Sequence, residues 1–423
     1  MDERTGLVKT IPLRHLAEIN PPSGFFEALP AEADVLFLPL ETVWADGRAD
    51  QTRRVRKSSV ESGYTRFHPG DTVCPKVTPT FQAGRSMRAN AVGAGTTELH
   101  VLRPRVGVDP RWVTYAVRSK HFLEEGVTAF QGVAGLQRVP QEFVANFHVA
   151  DVPMGEQRRI ADFLDDRVAR IDQIIAARRR QASLADAALL ETARTLTTRG
   201  RSSVTRPSGI AWMPEIGAQH ALWRIGQAFT TGSGTTPRSD KVDYYDGEIP
   251  WATTSDLRDS LAVLPPRTVT SMALADHSAL ALYPAGTLLV AMYGATVGRA
   301  GILAVGATVN QACCALQSRE IISPKYAFYW LLAHRSEIMT LASGGGQPNI
   351  SQDVVRGLRI PAPPWDEQFE LAAALDESAE QADLARASLT GSVELLDEYK
   401  QSLITAAVTG EIDVTTAGSG IPG

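Results

Sequence analysis

Residues 144–175 read VANFHVADVPMGEQRRIADFLDDRVARIDQII, and residues 355–386 read VRGLRIPAPPWDEQFELAAALDESAEQADLAR. At a spacing of 211 residues, Glu156-Gln157 falls on Glu367-Gln368, and Leu164-Asp165 falls on Leu375-Asp376. A repeat of this length is too long for a solenoid unit, which spans about 20–50 residues. The spacing therefore indicates a duplicated domain that is followed each time by a long helix.

Both repeated stretches continue as a heptad pattern of apolar and small residues. Each predicts a helix of about 45 residues, on the order of 65–70 Å long. We expect the two helices to bury their seams against each other and to run antiparallel as a spacer. The residues that we assign to the spacer and to partner docking are Glu156, Gln157, Leu164, Ile171, Ile175, Glu367, Gln368, Leu375, Leu389, Leu396 and Leu403. The alternative is that each helix packs only on its own domain.

Two regions rich in β-branched residues and turns precede the helices. Their landmarks repeat: HPGDTV at 68–73 aligns with YPAGTL at 283–288, and RWVTYAVRS at 111–119 aligns with KYAFYWLLA at 325–333. The string GTTP at 234–237, with GEIPW after it, has no clear counterpart near residues 20–40. We predict a first mixed domain, a first long helix, a second mixed domain, a second long helix and a flexible tail at 1–152, 153–200, 201–363, 364–412 and 413–423.

Composition is that of a soluble globular protein, with 44% hydrophobic and 21% charged residues. The apolar runs are too short to span a membrane, and the charged N-terminus does not resemble a signal peptide, so we expect a cytoplasmic protein. The three cysteines cannot form a disulfide framework, and we expect them to be buried thiols. A net charge of −5 argues against a wholly basic nucleic-acid surface but leaves room for local basic faces.

No catalytic centre or metal site is evident from the sequence. Asn20-Pro21-Pro22-Ser23 resembles the turn that adenine methyltransferases use, but Ser23 replaces the aromatic residue and no cofactor loop precedes it. We interpret this string as a proline-rich exit from a strand. The eight histidines have no metal-ligand spacing, and the glycine-rich strings lack phosphate-loop spacing.

Cationic residues instead concentrate beside amides and aromatic rings in both mixed regions. Lysine and arginine neutralise phosphates, and Arg, Gln and Asn can also contact base edges in the major groove. We predict DNA contacts for Arg53, Arg54, Arg56, Lys57, Lys76, Gln82, Arg85 and Arg88 in the first region, and for Arg238, Lys241, Arg258, Tyr293, Arg299, Gln347 and Asn349 in the second.

The second half resembles the specificity subunit of type I restriction-modification systems. The strings that carry the resemblance are GSGTTPRSDKVDYYDGEIPWATTSDL at 232–257, PAGTLLVAMYGATVGRAGIL at 284–303, NISQDVVRGLRIPAPPWDEQ at 349–368 and LLDEYKQSLITAAVTGEID at 395–413. The first half carries the same plan more weakly. The resemblance implies an α+β fold: two mixed α/β target recognition domains separated by two long antiparallel helices, which form a pseudo-two-fold symmetric intramolecular coiled coil.

The resemblance also implies a function. Each recognition domain would read one half of an interrupted, asymmetric DNA site, and the helices would set the spacing and dock two methyltransferase subunits. The chain itself would be non-catalytic and would bind no cofactor. S-adenosylmethionine would act in the methyltransferase, and ATP with Mg²⁺ in a restriction and translocase subunit. Two alternatives are a coiled-coil scaffold without a DNA role and a methyltransferase that uses Asn20-Pro21-Pro22.

Overall fold

The computed structural model describes residues 9–44, 47–132, 137–342 and 348–414. The chain divides into two compact units, Met1–Arg179 with Thr390–Gly423 and Arg180–Leu389. Each unit therefore contains one globular part and half of each long helix. Among the described residues, no helix is long and apolar enough to cross a membrane.

Within the described residues, the first globular part has ten short strands. They are β1 (Thr10–Pro12), β2 (Ala17–Ile19), β3 (Asp34–Leu38), β4 (Arg54–Arg56), β5 (Thr65–Phe67), β6 (Thr72–Pro75), β7 (Met87–Arg88), β8 (Gly93–Gly95), β9 (Leu99–Pro104) and β10 (His148–Ala150). The strand orders are β2-β9-β6-β7, β4-β3-β8-β5 and β1-β10. Four helices cover them: α1 (Gly24–Glu27), α2 (Pro110–Arg118), α3 (Lys120–Thr128) and α4 (Gln141–Asn146).

The first long helix, α5 (Met154–Arg199), leads into twelve further strands. They are β11 (Thr205–Ile210), β12 (Met213–Gly217), β13 (Ala221–Arg224), β14 (Phe229–Gly232), β15 (Tyr245–Ala252), β16 (Ser260–Val263), β17 (Thr268–Val269), β18 (Leu288–Ala291), β19 (Ala300–Leu303), β20 (Thr308–Val309), β21 (Cys313–Ser318) and β22 (Arg359–Ala362). The helices of this part are α6 (Ile225–Ala228), α7 (Ser271–Asp276), α8 (Pro324–Ala333), α9 (Arg335–Met339) and α10 (Gln352–Gly357), and the second long helix, α11 (Trp365–Thr409), follows.

The two globular parts share one strand topology. The order β14-β21-β18-β19-β16 extends the plan of β2-β9-β6-β7, and β17-β15-β20 matches β4-β3-β8. The pairs β3·β8 and β15·β20 are both parallel, and the pairs β1·β10 and β13·β22 are both antiparallel. This confirms the predicted mixed α/β duplication. It also supplies the counterpart that the sequence comparison missed, because β3 corresponds to β15 and the Asn20-Pro21-Pro22 turn occupies the place of the GTTP loop.

The helices α2 and α8 begin by the same local chemistry and face the same way into their cores. Each has a proline in its first turn, after Asp109 in one case and Ser323 in the other. Proline suits this position because its missing N–H would have no helical partner there. Trp112 and Trp330 are fully buried in the two largest cores. Each of these cores also contains residues of both long helices, so each globular part is packed onto the helix pair.

Within each unit, the long helices run antiparallel. In the first unit, Lys400 contacts Asp172 at 2.9 Å, and Asp397 lies 4.0 Å from Arg179, so residue numbers rise on one helix as they fall on the other. In the second unit, Arg386 contacts Asp186 at 2.9 Å. The predicted antiparallel helix pairing is confirmed, but the helices are not separate from the compact units.

Candidate nucleic-acid interface

Exposed arginines follow the edge strand β4 of the first unit. Arg54 and Arg56 are exposed, and the guanidinium of Arg53 lies 4.9 Å from the ring centre of Phe37 on the neighbouring strand β3. β4 is the outermost strand of its sheet, and the side chains of all three arginines are exposed there. Three of the predicted contact residues therefore form one basic edge.

Gln51 connects this edge to a second predicted residue, Arg88. The Nε2 group of Gln51 donates to the Arg88 carbonyl at 3.2 Å, and its Oε1 accepts from the Asn90 N–H at 2.8 Å. Arg54 donates to the Gln51 carbonyl at 2.9 Å. The structure thus brings Arg54 and exposed Arg88 together although 34 residues separate them in sequence. Sequence reasoning missed Gln51, whose only signal was an amide within an arginine-rich run.

The prediction that Lys57 contacts DNA is corrected by its environment. Lys57 is buried, its ammonium donates to the carbonyls of Glu27 and Leu29 at 3.2 and 2.7 Å, and it lies over the ring of Phe26. These carbonyls satisfy a charge that would otherwise be costly to bury. The residue holds α1 against the sheet, and proximity in sequence to three exposed arginines concealed this role.

Lys76, Gln82 and Arg85 lie apart from the arginine edge, on the loop between β6 and β7. Lys76 is half-buried, and its Nζ donates to the Thr97 carbonyl at 2.9 Å. Burial lowers its pKa, and Glu98 acts in the opposite direction. Gln82 is exposed and borders a groove of about 690 Å³ between α3 and α11, while Arg85 is half-buried.

In the second unit, two predicted cations are engaged with nearby partners. Arg238 forms a 2.7 Å ion pair with Asp240, and the Lys241 ammonium contacts the Tyr244 hydroxyl at 3.1 Å. The Tyr244 hydroxyl in turn donates to Asp276 at 2.7 Å. Both cations remain at the surface, but the neighbouring carboxylates offset their charge.

The second unit also contains a cluster of polar side chains that come from segments distant in sequence. The Tyr293 hydroxyl donates to the Gln311 carbonyl at 2.5 Å, and the Thr236 hydroxyl donates to Gln311 Oε1 at 2.7 Å. Tyr293 also pairs with Asn349 in an isolated antiparallel bridge. Arg258 and Arg299 are exposed on adjoining loops. Gln347, also predicted to contact DNA, lies outside the described residues.

The methyltransferase-like string of the first unit is occupied by internal hydrogen bonds. Asn20 Oδ1 accepts from the Val101 N–H at 2.9 Å, and its Nδ2 contacts His100 at 3.1 Å and Gln141 at 2.9 Å. Because the oxygen and the nitrogen of the Asn20 amide both have hydrogen-bond partners within the protein, this amide is not available to hold a target base. Asn20 therefore has the structural role that we expected for this turn.

Gln157 and Gln368 are buried, so the prediction that these two residues dock a partner is corrected. Gln157 accepts from the Asp109 N–H at 3.0 Å and donates to the Val152 carbonyl at 2.9 Å. Gln368 accepts from the Ser323 N–H at 2.8 Å and donates to the Ile321 and Pro363 carbonyls at 3.0 Å. The repeated glutamine fixes each long helix to the start of α2 or α8. Glu156 and Glu367 beside them are half-buried.

A repeated tyrosine–aspartate contact joins the same elements. The Tyr115 hydroxyl donates to Asp165 at 2.6 Å, and the Tyr329 hydroxyl donates to Asp376 at 2.8 Å. A cation reinforces each contact, Arg111 to Asp165 at 2.9 Å and Lys325 to Asp376 at 2.6 Å. The anchoring of the globular part is thus conserved between the two units.

The remaining seam residues lie where the heptad pattern predicts. The buried members are Leu164, Ile171, Ile175 and Leu375. The half-buried members are Leu389, Leu396 and Leu403. Leu164 and Leu375 belong to the cores that the long helices share with the globular parts, whereas Leu184, Leu384 and Leu395 are exposed.

Comparison with known proteins identifies the second unit most directly. A family model described as the type I restriction modification DNA specificity domain matches residues 222–390. The type I restriction enzyme EcoEI specificity subunit of Escherichia coli is 33% identical over 172 residues, which cover 39% of this chain and 28% of that protein. The EcoAI specificity subunit of Escherichia coli is 31% identical over 168 residues, covering 38% and 28%. The match spans about a quarter of the length of these relatives.

Solved structures share the whole fold at low sequence identity. A chain from a study of complex assembly and conformational transition of the type I R-M system has a TM-score of 0.73 and 16% identity, with 96% of this chain and 98% of that chain covered. The HsdS subunit from Thermoanaerobacter tengcongensis has a TM-score of 0.52 and 16% identity at the same coverage. The fold of two mixed domains with two long helices is therefore shared along nearly the entire chain.

Proposed function

We propose that this chain is a specificity subunit of a type I restriction-modification system and that it recognises double-stranded DNA by sequence. Each globular part reads one half of an interrupted, asymmetric site. The long helices set the distance between the two halves. The chain contributes recognition and no catalysis of its own.

The observation that carries this proposal is the contrast between what the two units repeat and what they vary. The central strand order, the buried glutamine and the tyrosine–aspartate contact recur in both, while the sheets differ by edge strands. The surfaces differ, because the first unit exposes Arg54 and Arg88, whereas the second presents Tyr293 and Gln311. Two similarly mounted but different surfaces suit a target with two unlike half-sites, since base readout depends on the side chains presented.

The proposed partners follow from the family. We infer that two methyltransferase subunits dock on the helix pair, and that a restriction and translocase subunit joins them in the cytoplasm. S-adenosylmethionine would act in the methyltransferase subunits, and ATP with Mg²⁺ in the translocase. The engaged amide of Asn20 disfavours the alternative in which this chain is itself the methyltransferase.

The first test is DNA binding by the complex of this chain with its methyltransferase subunits. We expect affinity to fall steeply as salt rises, because cations that neutralise phosphates release counterions. Replacing both Arg54 and Arg88 by alanine should weaken binding and reduce the salt dependence by about two phosphate contacts. Replacing Arg319, an exposed arginine that contacts Thr230, provides a control of equal chemistry. DNA affinity that is absent at low salt would favour the scaffold alternative.

A further inference from the structure

The loop GTTP at 234–237 is held tightly against the turn that precedes β21. A Cβ atom at Gly234 would overlap the carbonyl oxygen of Val309, so only glycine permits the loop to approach this closely. The Gly234 N–H lies 3.4 Å from the Asn310 carbonyl. Gly234 belongs to a glycine-rich string that lacks the spacing of a phosphate loop. Its role in the structure is to permit this close packing.

Two tyrosines fix the ends of this loop. The Tyr283 hydroxyl donates to the Ser233 carbonyl at 3.0 Å, and the Tyr245 hydroxyl donates to the Pro237 carbonyl at 2.6 Å. Burial raises the pKa of both phenols, so both remain protonated donors at neutral pH. The loop between them is thus positioned before any ligand arrives.

This positioned loop orients the side chain of Gln311. The Thr236 hydroxyl donates to Gln311 Oε1 at 2.7 Å, and Tyr293 holds the Gln311 carbonyl at 2.5 Å. Gln311 is nevertheless exposed, and within the described part of the chain its Nε2 group has no protein acceptor. The arrangement leaves two amide N–H donors facing solvent in a fixed orientation.

The outward-facing N–H groups of Gln311 are suited to a ligand atom that can accept hydrogen bonds through several lone pairs. Bidentate recognition of adenine uses both the oxygen and the nitrogen of a glutamine amide. Here the oxygen is already oriented toward Thr236, whereas a phosphate oxygen requires only the donor. The exposed arginines Arg258 and Arg299 on adjoining loops add positive charge to the same part of the unit.

We propose that Gln311 donates through Nε2 to a phosphate oxygen of the DNA backbone, and that Thr236 is the positioning residue for this contact. The proposal rests on the proposed function, because it assumes that the second unit binds DNA. It assigns Gln311 a role in placing the unit on the duplex rather than in choosing the base.

The test uses the complex with methyltransferase subunits and DNA whose methylated sequence has been determined. Gln311→Ala should weaken binding by about 10-fold or more, the effect of one hydrogen bond to a charged group. Gln311→Glu should weaken it further, because a carboxylate repels phosphate. Thr236→Val should weaken binding in the same direction, and Thr236→Ser should restore it because the hydroxyl returns. Gln219→Ala, which removes an exposed amide in the turn after β12, should have no effect.

Two readouts separate a phosphate contact from the other roles of Gln311. The salt dependence should be unchanged in Gln311→Ala, because a neutral side chain releases no counterion, and should fall by about one contact in Arg299→Ala. The preferred sequence should also be unchanged. Unaltered affinity in Gln311→Ala, or altered preference at a single base, would overturn the proposal. If the wild-type complex binds no DNA, the proposed function fails before Gln311 is in question.

Discussion

Two buried histidines, one in each unit, should make the protein sensitive to acid. Burial lowers the pKa of His100 to about 4. Burial, and to a smaller extent the positive charge of Arg194, lower the pKa of His334 to about 4. In the unfolded chain both would titrate near 6.5. As the pH falls from 6.5 towards 4, the unfolded state takes up protons that the folded state refuses, so stability falls.

We expect each histidine to account for about 3 kcal/mol of stability lost across this window. Urea unfolding at a series of pH values measures the effect. The double variant His100→Gln/His334→Gln should have a flatter stability profile between pH 6.5 and 4.5 than the wild type. Gln219→Ala, which removes an exposed side chain that does not titrate, should leave the profile unchanged. An equal slope in the double variant and the wild type would contradict this assignment.

The buried glutamines should be important for stability. In Gln368→Ala, the Ser323 N–H and the carbonyls of Ile321 and Pro363 lose their partner. Because unsatisfied buried groups are costly, we expect a loss of about 2–4 kcal/mol. Thermal unfolding, compared with the exposed control Glu370→Ala, measures this loss. Equal melting temperatures for the two variants would contradict the anchoring role.

At the residue scale, the sequence identified the charged residues but not the groups that surround them in the fold. The run of arginines at 53–56 was correctly expected to be accessible, yet Lys57 beside them is buried by α1. Gln51 contacts the Asn90 backbone across 39 residues, and Thr236 contacts the Gln311 side chain across 75 residues. A local pattern contains no information about such distant partners.

At the element scale, the two long helices repeat a set of carboxylates, but the cations Lys400 and Arg386 of α11 are not repeated in α5. Lys400 lies between Asp172 and Asp397, and Arg386 contacts Asp186 and Asp383. The 211-residue repeat relates Asp172 to Asp383 and Asp186 to Asp397, but places Leu189 and Ile175 where α11 has its cations. In two copies of α5, Leu189 and Ile175 would replace Lys400 and Arg386, so the contacts of these cations with Asp172 and Asp186 would be lost. This asymmetry favours pairing of α5 with α11.

Charge exchange across the seam tests this specificity. Lys400→Asp would place three carboxylates together at a buried position, and we expect a loss of several kcal/mol. Adding Asp172→Lys should recover most of that loss, since the cross-helix pair returns with its charges exchanged. Arg386→Ala, at an exposed pair, should cost about 1 kcal/mol or less. Thermal unfolding of the four proteins measures the coupling, and an absence of recovery in the double variant would contradict it.

The elements themselves were largely predictable because they depend on periodicity. Heptad spacing predicted both long helices, and the landmarks at 68–73 and 283–288 lie at the starts of the equivalent strands β6 and β18. The sequence did not reveal the counterpart of β15, because the equivalent strand β3 has the same position in its sheet but a different sequence. Register and strand order are fixed by packing between distant segments, which leaves little trace in a local string.

At the scale of the whole molecule, the helix pair is proposed to act as a ruler. Removing seven residues between Asp172 and Asp186, together with seven between Arg386 and Lys400, keeps the heptad register of both helices. Each helix would shorten by about 10 Å, which corresponds to roughly three base pairs of DNA. We expect the variant complex to lose the wild-type site or to prefer a shorter spacer. Sequencing of methylated DNA measures this, and an unchanged spacer would contradict the ruler role.

The central claim is that each globular part reads its own half-site. It is tested most directly by replacing residues 201–363 with the corresponding region of another specificity subunit and sequencing the DNA that the complex methylates. We predict that one half of the methylated sequence changes to that of the donor while the other half stays as in the wild type. A change in both halves, or in neither, would contradict the account.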